Sequence, residues 1–76
     1  MARTFKQGAL IYDAKTQRMD IRLDLDNYCG GLCCGQCLEV LFDGRWIPTR
    51  IEMADDWYLV DVPTRDLVGL RVRIPV

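Results

Sequence analysis

The chain has 76 residues, 50% of them hydrophobic and 28% charged, and a formal net charge of −1. That is room for one domain, residues 1–76, with a thin core: a chain this short buries only about 60–65% of the surface its unfolded form exposes. Five basic and six acidic side chains in residues 1–44, and five of each in residues 45–76, leave no basic excess for gripping phosphates, so the charge balance argues against nucleic acid as the main ligand.

Other absences narrow the function further. The sequence contains no His and no Ser. Nucleophilic catalysis usually pairs a Ser, Cys or Thr with a nearby base, most often His, so the expectation is a protein that is not an enzyme. No apolar run approaches the roughly 18 residues of a membrane span, and Met1 to Lys6 leads into no signal-peptide core. The expected location is the cytoplasm, with no membrane partner.

In chain order, Gly8 to Tyr12 reads as a first short strand, closed by the polar loop Asp13 to Gln17. Arg18 to Asp26 then alternates, with Met19, Ile21, Leu23 and Leu25 on one face and Arg18, Asp20, Arg22, Asp24 and Asp26 on the other. Period two over nine residues predicts a strand with one buried and one wet face. Asn27 to Gln36, containing Gly30, Gly31 and Gly35, is a break long enough to suggest a functional or mobile loop.

Cys37 to Val60 carries the clearest signal. Two strand-like runs flank Asp43-Gly44, a dipeptide suited to the type I′ turn, in which both central residues need positive φ. A two-residue turn there sets Phe42 opposite Arg45, Leu41 opposite Trp46 and Val40 opposite Ile47. Leu38, Val40, Phe42, Ile47, Thr49, Ile51 and Met53 then share the core face. Glu39, Leu41, Trp46, Pro48, Arg50 and Glu52 take the other, and Pro48, which donates no ladder bond, marks an edge or a bulge. A three-residue loop at Ala54-Asp55-Asp56 sends Trp57 and Leu59 inward and Tyr58 and Val60 outward; a two-residue turn would exchange them. Val62 to Asp66 reads as a turn or one loop of 3₁₀ helix, and Val68 to Ile74 alternates again as a closing strand. Six short antiparallel strands without a helix hide their core by closing into a small barrel or by bending strongly. The predicted fold is all-β, a single small barrel, SH3-like, with an OB-like barrel as the alternative.

All four cysteines, Cys29, Cys33, Cys34 and Cys37, fall within nine residues. Cys34 and Cys37 have the spacing of half a zinc site, and Cys29 and Cys33 could serve as the other half. Structural zinc, however, usually joins two distant knuckles, and a reducing compartment disfavours disulfides. The expectation is no metal and no cofactor, with some of these residues packed as small apolar groups and the rest free thiols.

The run from Leu32 onward resembles the domain-of-unknown-function family 5348, short proteins of Gram-positive bacteria and their mobile elements. The resemblance is carried by Cys34-Gly35, Glu39-Val40, Gly44-Arg45-Trp46, Pro48-Thr49-Arg50-Ile51-Glu52, Trp57-Tyr58-Leu59-Val60 and Gly69 to Ile74. It implies a small cytoplasmic accessory protein and no activity that can be carried over. Cys29, Cys33 and Cys37 look like departures from the family pattern, which further weakens the metal reading.

Three functions compete. The first is a non-catalytic interaction module that holds a protein partner through Trp46, Arg50, Glu52 and Tyr58, since aromatics beside an Arg are common interface anchors. Against it, Trp46 could simply pack on Leu41 and Pro48, with Arg50 and Glu52 as a solvated pair. The second is single-stranded nucleic-acid binding by Trp46, Tyr58, Arg50, Arg71 and Arg73, provided the closing strand lies beside the meander. The third is a redox or metal protein built on the cysteine loop.

Overall fold

The structure, a computed structural model, describes residues 4–75. It is all-β: seven strands form one antiparallel sheet. They are β1 (Phe5–Asp13), β2 (Arg18–Asp24), β3 (Asn27–Tyr28), β4 (Cys37–Phe42), β5 (Arg45–Met53), β6 (Trp57–Leu59) and β7 (Arg71–Pro75). Their order across the sheet is β3-β2-β1-β7-β4-β5-β6. The last strand thus lies at the centre, between the first strand and the meander.

The β4–β5 hairpin follows from its turn. Asp43 has φ 52° and Gly44 φ 76°, the two positive values that a type I′ turn demands. Phe42 pairs with Arg45, Leu41 with Trp46 and Val40 with Ile47, and the same register runs down to Cys37 opposite Arg50. Met53 pairs with Trp57, so Ala54-Asp55-Asp56 is the three-residue connection, and Trp57 and Leu59 enter the core while Tyr58 faces out. Pro48 sits on the open flank of β5. The Ile51 N–H and carbonyl bond to Gln36 and Gly35, on the β4 side, whereas the Arg50 carbonyl accepts from Val60 on the β6 side. Pro48 shares the parity of Arg50, and β6 reaches no further up β5 than this, so the missing N–H faces no neighbour.

The sheet bends over a core of Leu10, Met19, Ile21, Leu38, Val40, Ile51, Leu59 and Val72, plugged by Leu32, Trp57, Val62 and Leu67. It does not close into the expected barrel: β3 and β6 remain its two edges, with no ladder between β2 and β6. A strap of chain, residues 29–36, spans the gap instead. The Cys29 N–H donates to the Ile21 carbonyl (3.0 Å), the Leu32 N–H to Met19 (2.8 Å) and the Gly35 N–H to Ile51 (2.7 Å). Trp57 adds a side-chain clasp, its Nε1–H donating to the Gln17 carbonyl at 3.3 Å. The strap bonds satisfy the Met19 and Ile21 carbonyls on the outer flank of β2, while the Ile51 bonds prolong the β4–β5 ladder.

Several local expectations are corrected. There are seven strands rather than six, because Asn27–Tyr28 forms a short extra one against β2. The first strand begins at Phe5 rather than Gly8, its lower half pairing with β7. The second ends at Asp24. Leu25, placed on the buried face by alternation, lies in a turn and is 74% exposed, its N–H capped by Asp24 Oδ1 and its carbonyl taking a bond from Arg22. Asp20, placed on the wet face, is only 6% exposed. It lies opposite Ile11 and lines hollows shared with Tyr28 and with Gly30-Gly31, so later chain covers it, and its Oδ1 accepts the Ile21 N–H at 2.7 Å. Met53, expected on the core face, is 43% exposed, although Trp57 opposite it is buried. Val62 to Asp66 contains no 3₁₀ turn, and the closing strand starts at Arg71, although Gly69 and Leu70 already bond to Leu10.

Candidate functional site

The outer surface of β7, β4, β5 and β6 gathers the residues singled out from sequence. Trp46, Arg50 and Glu52 alternate along β5 on the face away from the core, and Tyr58 pairs with Glu52 across the β5–β6 ladder. All four therefore lie on one side of the sheet. They divide into two intramolecular groups.

The upper group is built around Arg73. β7 pairs with β4 so that Arg73 lies opposite Glu39, and Gln7 of β1 lies on its other side. The guanidinium carbon is 4.0 Å from the Phe5 ring centroid and 4.2 Å from that of Trp46, a cation held between two aromatic faces. Glu39 pins it from the strand: Arg73 Nε and Nη2 both donate to Glu39 Oε1, at 2.8 and 2.7 Å. The side chains of Arg73 and Glu39 are 24% and 19% exposed, dry enough for the pair to gain more than a fully solvated one. Trp46 is thus half-buried by its neighbours, and Leu41, its partner across the hairpin, remains 37% exposed beside it.

The lower group is looser. Arg50 Nε donates to Glu52 Oε2 at 3.1 Å, with the Arg50 side chain 55% exposed and that of Glu52 29%. The Arg65 guanidinium stands 5.3 Å from the centre of the Tyr58 ring, bringing in the loop after β6. Of the proposed nucleic-acid set, Arg71 is exposed at the foot of β7, on a strand that does lie beside the meander.

Phe5, Glu39 and Arg65 are members of this surface that the sequence did not place in a site. Glu39 carried a usable signal, since it shares a face with Trp46 in the predicted hairpin. Phe5 and Arg65 carried none, because they reach the surface only through the β1–β7 pairing and the loop after β6.

On the strap and at the start of β4, Cys33, Cys34 and Cys37 are exposed and Cys29 is half-buried, all as free thiols. Burial, helped by the charge of Asp20 and opposed by Lys6, pushes the Cys29 thiol above its ordinary value. Among the described residues, no three Cys, Asp or Glu side chains converge in a way that could hold a metal ion. No helix of the described residues is long and apolar enough to cross a membrane.

Comparison with known proteins gives a family. No curated protein matches the chain. A crystal structure of a protein from Ruminococcus gnavus, a structural-genomics target, is similar at 53% sequence identity over 90% of this chain and 99% of that one, with a TM-score of 0.84. The family model described as "Domain of unknown function (DUF5348)" matches residues 8–74, from the middle of β1 to the end of β7. Covering most of the chain and part or all of every strand, the match shows that the chain belongs to the DUF5348 family.

Proposed function

We propose that the chain is a non-catalytic accessory module that holds a protein partner on the outer face of β5, with Trp46, Leu41, Arg50 and Tyr58 as the contacting side chains. The observation that carries this reading is the Phe5–Arg73–Trp46 stack pinned by Glu39. A rigid aromatic fixed in one orientation, beside an exposed Leu and rimmed by charges, binds at little cost in side-chain entropy.

The same pairing weighs against single-stranded nucleic acid as the ligand. Phosphates draw on free cations, and of the three arginines offered for that role Arg73 is engaged by Glu39 and Arg50 by Glu52, with Arg71 the exposed remainder. The absence of His and Ser from the sequence continues to favour a binding role over a catalytic one.

A photo-crosslinking side chain at position 41, in protein expressed in its native host, tests the proposal. The expected result is a discrete protein adduct that disappears when Trp46→Ala is added. Adducts unaffected by Trp46→Ala, or crosslinks to nucleic acid that vanish at high salt, would overturn it.

A further inference from the structure

We propose that Cys34 and Cys37 form a redox-active dithiol that closes to an intramolecular disulfide by exchange with a low-molecular-weight disulfide such as oxidised glutathione. The four cysteines are not equivalent, and the fold distinguishes them. Cys29 is half-buried against β2, and burial disfavours its thiolate, the form that attacks disulfides. Cys33 is exposed, and its Sγ accepts a hydrogen bond from Arg18 Nη1 at 3.7 Å, a contact that does not block reaction but ties this sulfur to the start of β2. Its backbone is fixed as the first residue of a turn: its carbonyl accepts the Gln36 N–H at 3.0 Å and its N–H donates to Gln36 Oε1 at 3.2 Å. Bonding to Cys34 would close a ring around the Cys33–Cys34 peptide, which the described backbone holds trans.

Cys34 and Cys37 have neither constraint. Both are exposed, and neither sulfur has a hydrogen-bond partner among the described residues. Cys34 is the first central residue of the turn and Gly35 the second, at φ 85°, a value that Gly takes without strain. Gly35 and Gln36 are then bound to Ile51, so the chain enters β4 at Cys37 from a fixed start. Two accessible thiols separated by two residues, one inside a turn and one just beyond it, have the C-x-x-C spacing that redox-active dithiols share.

The exchange takes two steps. The Cys34 sulfur attacks one sulfur of glutathione disulfide; a new S–S bond forms, the old one breaks, and the departing glutathione takes up the proton that Cys34 shed. Cys37 then attacks the Cys34 sulfur of this mixed disulfide, forming the Cys34–Cys37 bond and releasing the second glutathione with the Cys37 proton. Two protein thiols are oxidised and one small disulfide is reduced.

The test is incubation of the intact chain with oxidised glutathione, followed by blocking of the remaining thiols and mapping of the peptides by mass spectrometry. The wild-type chain should fall from four free thiols to two, with Cys34 linked to Cys37 and no retained glutathione. Cys34→Ser and Cys37→Ser should each stop at a stable glutathione adduct on the remaining partner, and Cys29→Ser and Cys33→Ser should close the ring as wild type does. Four unreacted thiols, a lasting adduct on the wild type, a Cys33–Cys34 or interchain link, or failure of Cys33→Ser to close the ring would overturn the proposal. Circular dichroism of each variant separates loss of chemistry from loss of fold.

Discussion

The guanidinium of Arg73 lies 4.2 Å from the centre of the Trp46 ring, joining the last strand to the middle of the meander on the outer face of the sheet. A contact of this kind contributes about 0.5–2 kcal/mol, toward the upper end where water is partly excluded. A double-mutant cycle of Trp46→Ala and Arg73→Ala, followed by urea denaturation, should return a coupling energy in that range. Arg73→Ala should be the costlier single change, because it also leaves the half-buried Glu39 carboxylate without its partner. Additive energies would mean that the stack contributes nothing to stability.

Ile51 is fully buried where β5 meets both the strap and β6. Ile51→Ala should cost about 2–5 kcal/mol, as a large-to-small change in a core. Trp46→Ala should cost less, since that side chain is only partly buried. Thermal melts of the two variants would reverse this order only if the β5 faces were exchanged.

Gly8 is required by space. A Cβ there would lie 2.0 Å from the Arg22 backbone carbonyl oxygen, at the point where β1 passes from pairing with β7 to pairing with β2. No rotamer relieves a clash with backbone, so β1 and β2 must part. Gly8→Ala should destabilise by about 1–3 kcal/mol, and hydrogen exchange should rise first in the β1–β2 ladder.

Gly44 is required by conformation. Nothing stands within 4 Å of where its Cβ would be, yet its φ is 76°. Gly44→Val should therefore cost more than the ~0.5 kcal/mol of an ordinary surface change, because a β-branched residue resists positive φ. Gly44→Asn, which tolerates that region, should recover most of the loss.

Cys29 should make stability depend on pH. Its thiol is held above its ordinary value by burial first and by Asp20 second. Below the ordinary thiol range it is neutral in both folded and unfolded chains and favours neither. As the pH rises past that range, the unfolded chain loses its proton first, so stability falls until the folded thiol ionises too. Chemical denaturation across this window should show a smaller decline for Cys29→Ser than for the wild type, and Cys29 should be the last of the four to be alkylated.

The sequence by itself determined the local geometry. Asp43-Gly44 set the β4–β5 register residue for residue, because a two-residue turn with two positive φ values leaves only one pairing. The sequence narrowed two further choices, Trp57 or Tyr58 inward and Pro48 at an edge or a bulge, and the three-residue loop and the open flank of β5 decided them. Each of these sequence readings depends on residues within one turn of each other in the chain. What only the tertiary structure decided depends on segments far apart in sequence. Period two could not reveal that β7 would insert between β1 and β4, so the Phe5–Arg73–Trp46 stack had no local signature. Nor could it show that later chain would cover Asp20, or that residues 29–36 would strap an open sheet where a closed barrel was expected. Alternation reports which face of a strand is apolar; which strand lies beside it is settled by how the whole chain fills one small core.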